Sequence, residues 1–224
     1  FYVDHLNNSY EAIDSTQGKI AVIESVRVTA TVDPTIELTI AGIGTGQTAC
    51  GNALDVTTTA TTVPFGSVSI TNFVDAAQNL TVSTNADGGY SVTAMESDQL
   101  RMLLGDGLGA NDIDDTPGDN TAASHNVSDE WSSTSTKGFG YSLENVDAAS
   151  VPFQYNTSSG NCTGTFCARQ FADDNNNESA EEIFSSTTVA DSQNVYVCYR
   201  IIVGPTQEAG TYTNAITYIA SATF

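Results

Sequence analysis

Positive charge is what this sequence lacks most. Six lysines and arginines stand against 27 aspartates and glutamates in 224 residues, a formal charge of −21. Nucleic acids and anionic membranes are poor partners for such a surface, because binding them rests on cationic contacts to phosphate. Long apolar runs are missing too, and none approaches the roughly 18 residues a spanning helix needs. Histidine occurs only as His5 and His125. There is no nucleophile elbow, zinc-hydrolase helix or glycine-rich phosphate loop. Adjacent acids such as Asp114-Asp115 and Glu181-Glu182 would point to opposite faces of a strand, so they make no prepared acid–base pair. A non-enzymatic protein is expected, with no nucleic-acid partner and no membrane insertion.

What is present indicates a folded β protein. Hydrophobic residues make up 40% and charged residues 15%, which argues against global disorder. The length suits one large β domain with a real core. The chain starts at Phe1 without an initiator methionine, which reads as a mature, exported product whose signal has been removed. Four cysteines, Cys50, Cys162, Cys167 and Cys198, fit two disulfides in an oxidising compartment, with three pairings to choose among. Cys162 and Cys167 enclose a short loop that a bridge could close, which would leave Cys50 with Cys198. Neither a Cys-x-x-Cys nor a nearby histidine supports a zinc site.

Residues 1–18, FYVDHLNNSYEAIDSTQG, stand apart as an N-terminal arm. The start alternates as a strand does, Asn7-Asn8-Ser9 breaks it, and residues 15–18 read as a linker. The arm is either a first strand of the domain or a donor strand for a neighbour's sheet edge. Phe1, Val3, Leu6, Tyr10 and Ile13 would be its anchors. The domain proper is expected over 19–224. Residues 20–32, β-branched and partly alternating, predict a long strand, and Asp33-Pro34 a turn. Further strands are expected at 35–42, 56–63, 66–74, 138–147, 151–155, 194–203 and 210–224. Residues 79–95, with Asp87-Gly88 between alternating runs, predict a hairpin, and 96–104 a short helix. Residues 105–137 form a long polar excursion. About nine short strands make a jelly-roll-like or Ig-like β-sandwich the natural architecture.

Within the excursion, Asp106, Asp112, Asp114, Asp115 and Asp119 lie beside glycines, and calcium is the one cofactor this composition favours. The spacing is not that of an EF-hand, and a solvated acidic loop is the competing explanation. Of the N-glycosylation sequons, Asn126, Asn156 and Asn177 fall in expected loops. Trp131, with Tyr141 and Tyr155, is either a sugar-stacking surface or packing beneath the loop.

The segments VRVTATVDPTIELTIAG, VPFGSVSI, NLTVSTNADGGYSVTA and the closing AGTYTNAITYIASATF resemble exported β-sandwich proteins of prokaryotic surfaces. The closing strand is similar to those of WxL-like and pilin-like modules, although the WxL tryptophan signature is missing. The layout resembles TasA-like biofilm fibres and archaeal bundling pilins. That resemblance implies a secreted, extracellular jelly-roll subunit whose N-terminal strand completes the next subunit's sheet, with identical subunits as partners. The alternatives are a monomeric adhesin that binds other cells or surface glycans, and a protein of a surface lattice.

Overall fold

The computed structural model describes residues 2–102, 112–147 and 150–224. Phe1 of the expected donor strand and Asp106 of the acidic loop lie outside them. The described residues contain no helix, and every strand ladder is antiparallel. The protein is all-β. It divides into two compact units, Phe1–Asp33 and Pro34–Phe224. The boundary expected between residues 18 and 19 thus falls after Asp33.

In the first unit β1 (Tyr2–Leu6) pairs with β2 (Ala12–Gln17). Asn7 makes the turn: its side-chain oxygen accepts from the backbone N–H of Ser9 and Glu11 at 2.8 and 3.0 Å. Tyr10 completes it in the left-handed region, at φ 61°, a conformation costly for a residue with a Cβ. Residues 1–14 are therefore not a single free arm. β1 already has a partner, and Ser15, Thr16 and Gln17, expected to be linker, form half of β2.

The second unit contains β3 (Ile36–Gly42), β4 (Thr48–Ala49), β5 (Asn52–Ala53), β6 (Val74–Thr84), β7 (Tyr90–Glu96) and β8 (Arg101–Met102). After them come β9 (Asp129–Glu130), β10 (Gly138–Asn145), β11 (Cys167–Ala168), β12 (Glu181–Ser186), β13 (Ala190–Ile202), β14 (Tyr212–Thr213) and β15 (Ile216–Ala222). Two sheets dominate, in the orders β10-β13-β6-β3 and β12-β7-β15. Alternation explains how they pack. On β7, Tyr90, Val92, Ala94 and Glu96 are buried while the residues between them are half-buried, the period-two pattern of a strand with one face on a core. Leu80, Val82, Val197 and Tyr199 of the first sheet share one apolar cluster with Val92, Ala94, Ile183 and Phe184 of the second. Polar contacts also link the sheets. The Tyr199 hydroxyl donates to Gln78 Oε1 at 2.6 Å and lies 2.5 Å from the Tyr218 hydroxyl, which donates to it.

A second cluster lies around Trp131, Phe166 and the Cys50–Cys198 disulfide. Beside it, Arg200 of β13 makes a bidentate pair with Asp75, its register partner on β6, at 2.7 and 3.0 Å. The guanidinium also lies over the rings of Phe73 and Phe166, 4.3 and 3.5 Å from their centroids. A buried cation so fully matched is tolerated, and removal of either partner would strand a buried charge.

Several local expectations change. Residues 79–95 do not form a hairpin: β6 and β7 belong to different sheets, and Asn85–Gly89 crosses between them. Gly89 makes the crossing possible, since at φ +80° a Cβ there would sit 2.0 Å from the Ser186 carbonyl oxygen. Residues 96–102 end β7 and form β8, with no helix. Residues 56–63 and 66–73 run as irregular chain, and 151–155 form no strand. β12 has no counterpart among the expected strands.

The disulfides are Cys50–Cys198 and Cys162–Cys167, with sequence separations of 148 and 5. Loop-closure entropy gives about 5 kcal/mol for the long bridge and about 2 kcal/mol for the short one. Denaturant unfolding should therefore show a larger loss for Cys50→Ser/Cys198→Ser than for Cys162→Ser/Cys167→Ser. The reverse order would contradict this account of the fold.

Candidate interaction surface

Residues 19–33, KIAVIESVRVTATVD, are rich in β-branched residues and lie in no strand. Every one of them is exposed. Counted by twos, Ile20, Val22, Glu24, Val26, Val28, Ala30 and Val32 share one face, and all but Glu24 are apolar. The opposite face is mostly Lys, Ser, Arg, Thr and Asp. Such a segment is built to lay one side on a core. Val22 and Val28 instead stand 91% and 88% exposed, and each such side chain left in water forgoes about 1.5 kcal/mol or more of burial.

The second unit offers two open sheet edges. The outer side of β10 is bridged through Tyr141–Arg169 and Asp115–Phe139, and that of β12 through Ser150–Ser185. β3 and β15 close their sheets with no further strand among the described residues. Only the far end of β3 is capped, where Thr58 hydrogen-bonds Ile43. The two edges lie on the same side of the domain, and their Cα atoms come within 8 Å of each other. Leu38 and Ile40 on β3, and Ile216, Tyr218 and Ala220 on β15, pack against the apolar cluster and are only partly buried. An open antiparallel edge turns alternate N–H and C=O groups outward as a template for another strand.

None of the expected anchors lies in residues 19–33. Val3 and Leu6 lie on β1 and Ile13 on β2, all exposed, and Tyr10 sits in the turn at 85% exposure. They belong to the hairpin that precedes the unpaired segment. The long strand expected over 20–32 does not form, and these residues run as irregular exposed chain.

The expected calcium ligands do not converge, and among the described residues no three Asp, Glu, His or Cys side chains could hold a metal ion. Asp112 accepts from the Met102 N–H at 3.0 Å, and Asp119 staples a loop by accepting from Ser132, Ser133 and Thr136. Asp114 is exposed. Trp131 is fully buried, stands edge-on to Phe73 and donates its indole N–H to the Thr136 carbonyl at 3.0 Å, so it offers no sugar-stacking face. Asn126, Asn156 and Asn177 are exposed outside the strands. His125 Nδ1 lies 3.1 Å from Glu178 Oε1.

Asp115 has another role. It interacts with Glu96, which is 1% exposed at the end of β7, and the two carboxyls can share a hydrogen bond when one is protonated. Burial, then the Asp115 charge, pushes the Glu96 carboxyl far above the usual carboxylate range. Burial also raises Asp115, against the lowering effect of the Glu96 hydrogen bond. Glu96 is thus neutral at pH 7 and able to donate its proton toward Asp115. Asn214, two residues before β15, donates to the other Glu96 oxygen, so the pair helps to seat that strand.

The chain matches no family model, no curated protein and no solved structure. Its surface therefore has to be understood from its own residues.

The Glu96 shift has a definite sign. A carboxyl raised by folding contributes stability at low pH that is lost as pH rises toward the folded value, at up to about 1.4 kcal/mol per unit for one proton. Glu96→Gln keeps a donor without an ionisable proton. Between pH 5 and 8 wild type should lose stability relative to this variant in denaturant unfolding. Parallel profiles would refute the neutral-acid assignment.

Proposed function

We propose that this protein is a non-catalytic structural subunit of an extracellular filament, assembled head to tail by strand donation from its N-terminal region. One observation carries the proposal. A segment of strand-forming composition with an apolar face, residues 20–32, is exposed and lies in no strand, and it precedes the β domain in the chain. A strand given to an identical neighbour satisfies backbone groups and buries that face. Repeated along a line, such a contact is heterologous and does not close, so it yields a fibre. Two disulfides fit an oxidising, exported setting. No helix among the described residues is long and apolar enough to cross a membrane. The sequence resemblance to pilin and biofilm-fibre families implies the same kind of assembly. The donor is shifted from residues 1–14 to residues 20–32, with the β1–β2 hairpin preceding it.

Removal of residues 19–33 should leave a folded, disulfide-bonded monomer that forms no fibres by electron microscopy. Fibres from the shortened chain at wild-type levels would sink the proposal.

A further inference from the structure

We infer that the acceptor site is the seam between the open edges of β3 and β15, and that its occupant is residues 20–32 of a second copy of this chain. The inference rests on the filament proposal and adds the place where the strand binds. The dimensions agree. β3 and β15 have seven residues each, so the seam runs roughly 23 Å, and thirteen extended residues reach roughly 43 Å. The segment can cover the whole seam and still leave chain to span to its own domain.

The chemistry agrees as well. Val22, Val26 and Val28 would cover Leu38, Ile40 and Ala220, which the domain leaves partly exposed. The opposite, polar face of the segment would stay in water. Charge favours this docking too. Residues 19–33 hold Lys19, Glu24, Arg27 and Asp33 and are neutral, whereas the second unit has four basic residues, Arg101, Lys137, Arg169 and Arg200, among most of the 27 acids. A neutral strand reaches that acidic domain without the repulsion two such domains would feel. Turn chemistry favours a donor from another copy. Pro34 cannot take the positive φ of a primed hairpin turn, and Asp33 is not the glycine a type II′ turn wants. The tightest reversal onto β3 is thereby closed to the chain's own segment.

The test mixes two separately purified full-length variants, Val26→Cys as donor and Ile40→Cys or Ala220→Cys as acceptor, and oxidises them during assembly. A cross-linked dimer with one chain of each is expected in at least fivefold higher yield than with Ser185→Cys, on the far edge of the second sheet. Equal or higher yield at Ser185 would overturn the assignment. A second measurement avoids variants of the protein. A peptide of residues 19–33 with a photoreactive group at position 26 is added to the wild-type chain. Labelling of 36–42 and 216–222 supports the seam; labelling confined to other segments, or none, refutes it. If residues 19–33 are needed for fibres but attach elsewhere, only the seam fails. If they are dispensable, the filament proposal fails first.

Discussion

A β-sheet cannot end without leaving a row of backbone N–H and C=O groups unpaired, and most of this structure can be understood as a response to that constraint. Two of the four edges of the main sheets are closed by bridges from loops, through Arg169 and Asp115 on one side and Ser150 on the other. The remaining two, β3 and β15, face the same side and pair with no further strand among the described residues. Natural edges are usually blunted by charge, proline or a bulge. Here β15 presents Thr217, Ile219 and Ser221 outward, and none of these protects an edge.

The closed part of the domain is strongly tied. β6 and β13 form its centre, with the Arg200–Asp75 pair across the ladder and Cys198 on the same strand bonded to Cys50. Tyr199 and Tyr218 link the two sheets through their hydroxyls. The Glu96–Asp115 pair, with Asn214, seats the start of β15. Open edges on so well anchored a body are a stable surface for a partner.

Sequence signals were sound wherever the deciding interaction is local. Ile36, Leu38 and Ile40 alternate and form β3, and the β-branched run 194–203 falls almost wholly within β13. Asp87-Gly88 was a correct turn signal, but turn chemistry does not say whether the next strand pairs back or crosses to another sheet. That choice belongs to β13 and β15, far along the chain. The same limit applies to the interaction surface. Composition marks 20–32 as a strand, while the presence of a partner depends on edges elsewhere in the chain. Asp112, Asp114, Asp115 and Asp119 looked alike as a run of acids. Only folding separates a loop staple from a buried proton-sharing pair, because burial by distant residues such as Glu96 decides it.

The central claim is that residues 20–32 are a strand waiting for a partner, and amide hydrogen exchange tests it most directly. In the free monomer these amides should exchange within seconds, while those of β6 and β13 stay protected. In assembled material the amides of 20–32 should become protected together with the outer edges of β3 and β15. Fast exchange of 20–32 in the assembled state, or protection already complete in the monomer, would contradict the account.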